Sequence, residues 1–145
     1  MKIMAIDLGE ARTGLAVCDR TEFLASPIGV IHEKNFHMLV QKVAVAAKEY
    51  GVQMVIIGLP KNMDGSCGSR AEKCQEFAEK LGEVIPLPIK MWDERQTTML
   101  AEKYLNENDI RGQKRKDMID EVAATIILES YLDYRKNHPE EKESI

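Results

Sequence analysis

The sequence predicts an α/β domain built on a mixed five-stranded sheet, and three observations lead there. An apolar run, Ile3-Met4-Ala5-Ile6, continues through Asp7 and Leu8 into Gly9 and carries apolar side chains on both faces, as a central strand does. Two further short strands follow with hairpin-sized links, so strands one to three form an antiparallel meander. From about Asn35 the apolar residues change to helical spacing and then alternate with buried strands, the pattern of parallel crossovers.

The elements follow in order. Gly9 and Gly14 leave room for a turn, after which Leu15-Ala16-Val17-Cys18-Asp19 reads as the second strand. Ser26 to Ile31 forms the third, with Pro27 at its start or on an edge. Phe36, Leu39, Val40, Val43, Ala44, Ala47 and Tyr50 predict a helix from about Asn35 to Tyr50, ended by Gly51. Val52 to Gly58 is a buried strand stopped at Leu59-Pro60. A glycine-rich loop follows, and Ser69 with Glu72 forms a capping box for a helix to about Leu81. Pro86 to Trp92 makes the fifth strand, closed by Asp93-Glu94-Arg95, and Thr97 or Thr98 opens a helix through Leu105. After a polar, loop-like stretch, a last helix runs from about Lys116 to Tyr134, where Ala123 and Ala124 let it pack close to the sheet.

At 145 residues a single domain is expected, with residues 1–138 folded and the acidic end, 139–145, a disordered tail. A net charge of −4 argues against generic polyanion binding, so any nucleic-acid site must be local. Three cysteines without metal-ligand spacing read as reduced thiols of a cytoplasmic protein. No signal peptide is expected, and no apolar run approaches the roughly 20 residues that span a membrane.

The chemistry concentrates in carboxylates. Asp7 closes the first strand, where an ionised group is costly unless it is paired or binds a metal. Asp93 and Glu94 close the fifth strand, and Asp120 is bracketed by the apolar stripe of the last helix. Taken singly, each has a bland reading: a turn cap, helix N-terminal acids favoured by the dipole, a solvated flank. Brought together, they would need a cation and would suit Mg²⁺ or Mn²⁺, whose ligands are oxygens. Such ions activate water and stabilise the leaving oxygen in phosphodiester hydrolysis. Arg12, Lys61, Arg70, Arg95 and the run Lys114-Arg115-Lys116 are candidate contacts to a nucleic-acid backbone, or else ordinary surface cations.

The ordered set Ile6-Asp7-Leu8-Gly9 with Arg12 and Gly14, Gly58-Leu59-Pro60 with Asn62-Met63-Asp64-Gly65, Asp93-Glu94-Arg95 with Thr97-Thr98, and Asp120 with Ala123-Ala124 closely resembles the YqgF family of pre-16S rRNA nucleases, also described as Holliday-junction-resolvase-like. The resemblance extends from Met1 to Tyr134. It implies an RNase H-like fold and a cytoplasmic bacterial enzyme that processes the 5′ end of pre-16S rRNA with a divalent metal. By position, Asp7 matches the first-strand acid and Asp120 the last-helix acid. The related resolvases carry a middle acid at the end of the fourth strand, where this chain has Gly58-Leu59-Pro60; Glu94 is the expected substitute, with Asp93 the alternative. Asp117 echoes a further acid of the resolvases.

Three functions compete: an endonuclease on structured RNA, with Asp7, Glu94 and Asp120 holding the metals; a resolvase of branched, four-way DNA, which a symmetric dimer would favour; and a non-catalytic nucleotide-binding or ribosome-assembly factor. The expected state is a monomer or weak homodimer.

Overall fold

The first apolar run forms β1 (Ile3–Asp7), buried along its whole length. In the computed structural model, which describes residues 1–59, 69–93 and 112–139 (the side chains of 69, 93 and 112–118 excepted), it is followed by β2 (Arg12–Cys18), β3 (Ala25–His32), α1 (Phe36–Glu49), β4 (Met54–Leu59), α2 (Ser69–Val84), β5 (Ile89–Asp93) and α3 (Gly112–Asn137). The expected helix from Thr97 or Thr98, Cys67 and the acidic end from Glu140 lie outside the described residues.

The sheet order is β3-β2-β1-β4-β5. β1 pairs antiparallel with β2 and parallel with β4, and β4 pairs parallel with β5. This is the expected meander followed by crossovers, with β1 in the middle. α1 starts where Asn35 accepts a hydrogen bond from the Met38 N–H and ends before Gly51, whose φ of 62° suits glycine. α2 begins at Ser69 as expected and runs to Val84, three residues past Leu81, at an end where boundaries are soft.

Alternation along β1 divides the core. Met4, Ile6 and Leu8 join Val40, Val43, Phe77 and Leu81 under α1 and α2. Ile3 and Ala5 join Ala16, Ile56, Ala124, Ile127 and Tyr131 under α3. Ala123 and Ala124 are fully covered, as their small size predicts. Cys18 and Cys74 are buried free thiols. Among the described residues, no helix is long and apolar enough to cross a membrane.

Two differences from the sequence reading position the site. β2 begins at Arg12, not Leu15: Gly14 is a strand residue that pairs with Asp7 and Val30, not part of a turn. α3 begins at Gly112, so Lys114-Arg115-Lys116 lie on its first turns rather than in a loop.

The far end of α3 is tied down by charge. Arg135 is 2% exposed and donates from Nε to Glu22 Oε1 at 2.7 Å and from Nη2 to Oε2 at 3.3 Å. The Met1 ammonium group donates to the Arg20 carbonyl at 2.7 Å and to Glu22 Oε2 at 3.3 Å. A buried charge is tolerated only with such partners. Burial pushes the Glu22 carboxyl up, but its hydrogen bonds and charge contacts with Arg135 and the amino terminus outweigh this and hold it below the usual glutamate value.

A folded-state value depressed in this way contributes stability that is present above the unfolded glutamate value, about 4.3, and is lost as pH falls through the folded one. Urea unfolding should therefore show a smaller loss of stability between pH 7 and pH 3 for Glu22→Gln than for the parent chain; parallel losses would show that the pair is not linked to folding. A side chain at Gly14 would place Cβ 2.1 Å from the Asp120 carbonyl oxygen, a backbone atom that cannot swing aside. Gly14→Ala should cost about 1–3 kcal/mol, the usual cost of overpacking; an unchanged urea midpoint would mean that α3 shifts freely.

Candidate active site

Asp7 continues the alternation Ile3, Ala5, Asp7 and so belongs to the sheet face beneath α3. It is 7% exposed. Its register partner is Gly14, on the same face as Ala16 and Cys18. Without a side chain at Gly14, the α3 backbone at Asp120 comes into direct contact with β2. The acid of the first strand and the acid of the last helix are thus brought to neighbouring positions, although 113 residues of sequence separate Asp7 from Asp120.

Arg12 lies two residues before Gly14 on the same face. Its Nε donates to Asp120 Oδ2 at 2.8 Å, with the two side chains 35% and 14% exposed. This charge-assisted bond orients Asp120 and offsets the repulsion that two nearby carboxylates would otherwise meet. The sequence suggests a phosphate contact for Arg12; in the structure its partner is the acid Asp120. The missed signal is weak, because nothing in local spacing links residues 12 and 120.

Arg70 lies on the other side of the β1–β2 turn. From the first turn of α2, its Nη2 donates to the Leu8 carbonyl at 3.1 Å and braces the segment that follows Asp7. It lines a cleft of 870 Å³ with Gly9, Lys34, His37, Lys73 and Glu76, at the carboxyl end of β1. Open α/β sheets gather ligands at such strand ends.

Gly58 flanks Asp7 from β4. It lies one step past the register pair Ile6↔Ile57, shares the face of Ile56, and pairs with Trp92 of β5. One row across the sheet therefore reads Gly14, Asp7, Gly58, Trp92. Asp93 closes β5 opposite Leu59, and its side chain lies outside the described residues, as do those of Lys114, Arg115, Lys116 and Asp117. Lys61, Glu94 and Arg95 lie outside them altogether.

Among the described residues, no group of three or more His, Cys, Asp or Glu is arranged to hold a metal ion. The described pair, Asp7 and Asp120, supplies oxygen donors on one face, the donor type that Mg²⁺ and Mn²⁺ require. The donor chemistry fits such an ion.

The profile of the family described as "RuvX: Holliday junction resolvase" matches residues 1–134. The chain belongs to the RuvX family. The resemblance drawn from the motifs is borne out over the same extent. A Caldanaerobacter subterraneus protein provisionally named pre-16S rRNA nuclease is 45% identical over 138 residues, 94% of this chain and 99% of its own length. Relatives of the same name from Clostridium novyi and Desulforamulus reducens are 41% and 42% identical, each over 92% of this chain and 98% and 97% of their own lengths. Matched at nearly full length to proteins so named, this RuvX chain is a nuclease.

Solved structures agree on the fold. Thermus thermophilus RuvC in complex with a Holliday junction substrate superposes with a TM-score of 0.62 at 12% identity, covering 95% of this chain and 97% of that one. The fowlpox virus resolvase in complex with Holliday junction DNA gives 0.54 at 17% identity, covering 92% and 98%. The RNase H-like fold expected from the resemblance is the one observed.

The Arg12–Asp120 pair is testable without a substrate. A double-mutant cycle of Arg12→Gln and Asp120→Asn, read by urea unfolding, should give a coupling of about 1 kcal/mol, as for a half-exposed charge-assisted bond. A coupling near zero would mean that solvent screens the pair.

Proposed function

We propose that this chain is a metal-dependent endonuclease of structured nucleic acid and that its substrate is the 5′ end of pre-16S rRNA in the bacterial cytoplasm. The observation that carries this reading is the placement of Asp7 and Asp120 on one sheet face, with Arg12 holding the second. The names of the full-length relatives support rRNA as the substrate.

Asp7, Asp120 and Glu94, with Asp93 as the alternative third acid, would hold Mg²⁺ or Mn²⁺. When bound, the metal supplies Lewis-acid stabilisation of charge and a water activated for attack on phosphorus. The chain's own residues do the rest. Asp7 is fixed by its strand and pre-oriented before substrate arrives, so little ordering is left to do at the moment of reaction. Arg12 fixes the carboxylate of Asp120 and limits the net charge of the site. Gly58, the row position on the β4 side of Asp7, carries no side chain, which leaves a phosphodiester backbone room to approach. Lys61, Arg70, Arg95, Lys114, Arg115 and Lys116 are assigned to phosphates flanking the cut, contacts that position the substrate without reading its sequence. The activity is assigned to residues 1–138, acting as a monomer or weak homodimer, with 139–145 outside it.

The family's description favours a second reading, resolution of four-way DNA. The two are separated by offering purified full-length protein, with Mg²⁺ or Mn²⁺, an RNA carrying the 16S 5′ leader and a four-way DNA junction. Preferential cutting of the RNA is expected; preferential cutting of the junction would transfer the assignment. Asp7→Asn should lower cleavage at least about 100-fold, the upper end of what even outer-shell partners of a metal cost, while the thermal midpoint stays within error. Undiminished cleavage by that variant would refute the site.

A further inference from the structure

Beside the row that contains Asp7, at the β5 edge, the face under α3 ends in a group of aromatic rings. Tyr131 is fully buried and forms its floor, with the Trp92 ring edge-on to it at 5.2 Å. Trp92 and Tyr134 lie 5.1 Å apart and are tilted by 57°. His138 stacks on Tyr134 at 4.0 Å, with the planes 20° apart. Two hydrogen bonds fix the rings: Trp92 Nε1 donates to Ser130 Oγ at 3.1 Å, and His138 Nδ1 donates to the Tyr134 carbonyl at 2.8 Å. The Lys90 ammonium lies 5.4 Å from the Tyr131 ring centre and 5.7 Å from that of Tyr134.

Closing a sheet edge does not call for this chemistry. Tyr131 belongs to the buried core with Ile127 and Leu128, whereas Trp92 and Tyr134, which pack against it, and His138 and Lys90 are only half-buried. Flat rings held in place beside a cation are what a single-stranded nucleic acid meets on its binding proteins: the rings take the π-face of a base, and the cation meets the backbone. The location agrees. Trp92 is opposite Gly58, and Gly58 adjoins Asp7, so two strand spacings, about 9.5 Å, separate the ring-bearing position from the acid. Tyr134 lies 14 residues, about 21 Å, along α3 from Asp120, so the rings extend away from the acids toward a nucleotide a few steps from the cut.

We propose that Trp92, Tyr134 and His138, with Lys90 beside them, form a stacking surface for an unpaired base of the nucleic-acid substrate. The proposal rests on the nuclease reading, since it places a base of the same substrate a few nucleotides from the cleaved phosphate. The surface selects for single-stranded character at that nucleotide, because a base held in a duplex cannot offer its face.

Trp92 is the only tryptophan of the chain, so its emission reports on this surface directly. Full-length protein in EDTA, where cleavage is suppressed, is titrated with a ten-nucleotide oligoadenylate and with an abasic oligomer of the same length. Binding is followed in parallel by anisotropy of a labelled strand. Saturable quenching by the oligoadenylate is expected, together with roughly tenfold weaker binding of the abasic strand, the scale of one stacked base. Tyr134→Leu keeps the apolar volume and should weaken the oligoadenylate by a similar factor while leaving the abasic strand unchanged. His138→Ala, beyond the end of α3, gives the same comparison if Tyr134→Leu proves unstable. Equal binding of the two oligomers, binding without quenching, no binding of the oligoadenylate, or variants that weaken both strands alike would overturn the proposal. No arm depends on cleavage, so loss of activity in Asp7→Asn with an unresponsive Trp92 would discard the stacking surface and leave the nuclease site standing.

Discussion

The contact between the Asp120 backbone and the bare face of Gly14 is the constraint on which the rest of the site depends. A helix crossing a sheet normally rides on a layer of side chains. Here one side chain is missing, and the α3 backbone settles onto β2 at the point where Asp7 is next door. Covered Ala123 and Ala124 continue the close approach further along the helix. A carboxylate from the chain's first strand and one from its last helix thereby come to share a face. Such proximity raises the cost of charge, and the guanidinium of Arg12, supplied by the strand that carries Gly14, offsets part of it.

The two faces of the sheet divide the work. Beneath α1 and α2 lies the bulkier core, with Leu39, Val43, Phe77 and Leu81 against Met4, Ile6 and Ile57. Burial there, about 1.5–3 kcal/mol for each large side chain, supports the fold. Beneath α3 the same strands carry Ala5, Ala16, Asp7, Gly14 and Gly58 beside Ile3, Met54 and Ile56. Because β1 is central in the sheet, Asp7 is held by neighbours on both sides, and its position does not depend on a loop.

Much of this was legible in the sequence. The meander, the crossovers and their order follow from hairpin-sized links and from the switch between strand and helix spacing. The positions of Asp7 at a strand end and of Asp120 within an apolar stripe were readable because both break a local apolar pattern. What escaped is long-range. Gly14 looked like a turn residue, since sequence cannot tell a glycine that bends the chain from one that makes way for a distant helix. The Arg12–Asp120 and Glu22–Arg135 pairs join residues more than 100 positions apart and leave no local period. The ring cluster escaped because Trp92 and Tyr131 each satisfy a local pattern, as a strand end and as part of a helix stripe. Glu94, the third expected acid, lies outside the described residues, so the three-acid arrangement stays within the proposed function.

The anchoring of Arg135 has a mechanical consequence. From Asp120 to Arg135, α3 runs about 22 Å as one rigid rod. Gly14 acts as a fulcrum near one end, and the clasp of Glu22 with the amino terminus holds the other. A small sideways slip at the clasped end would be delivered to the acid-bearing end as a tilt. The β2–β3 hairpin, though remote from the chemistry, therefore sets the aim of the helix over the site.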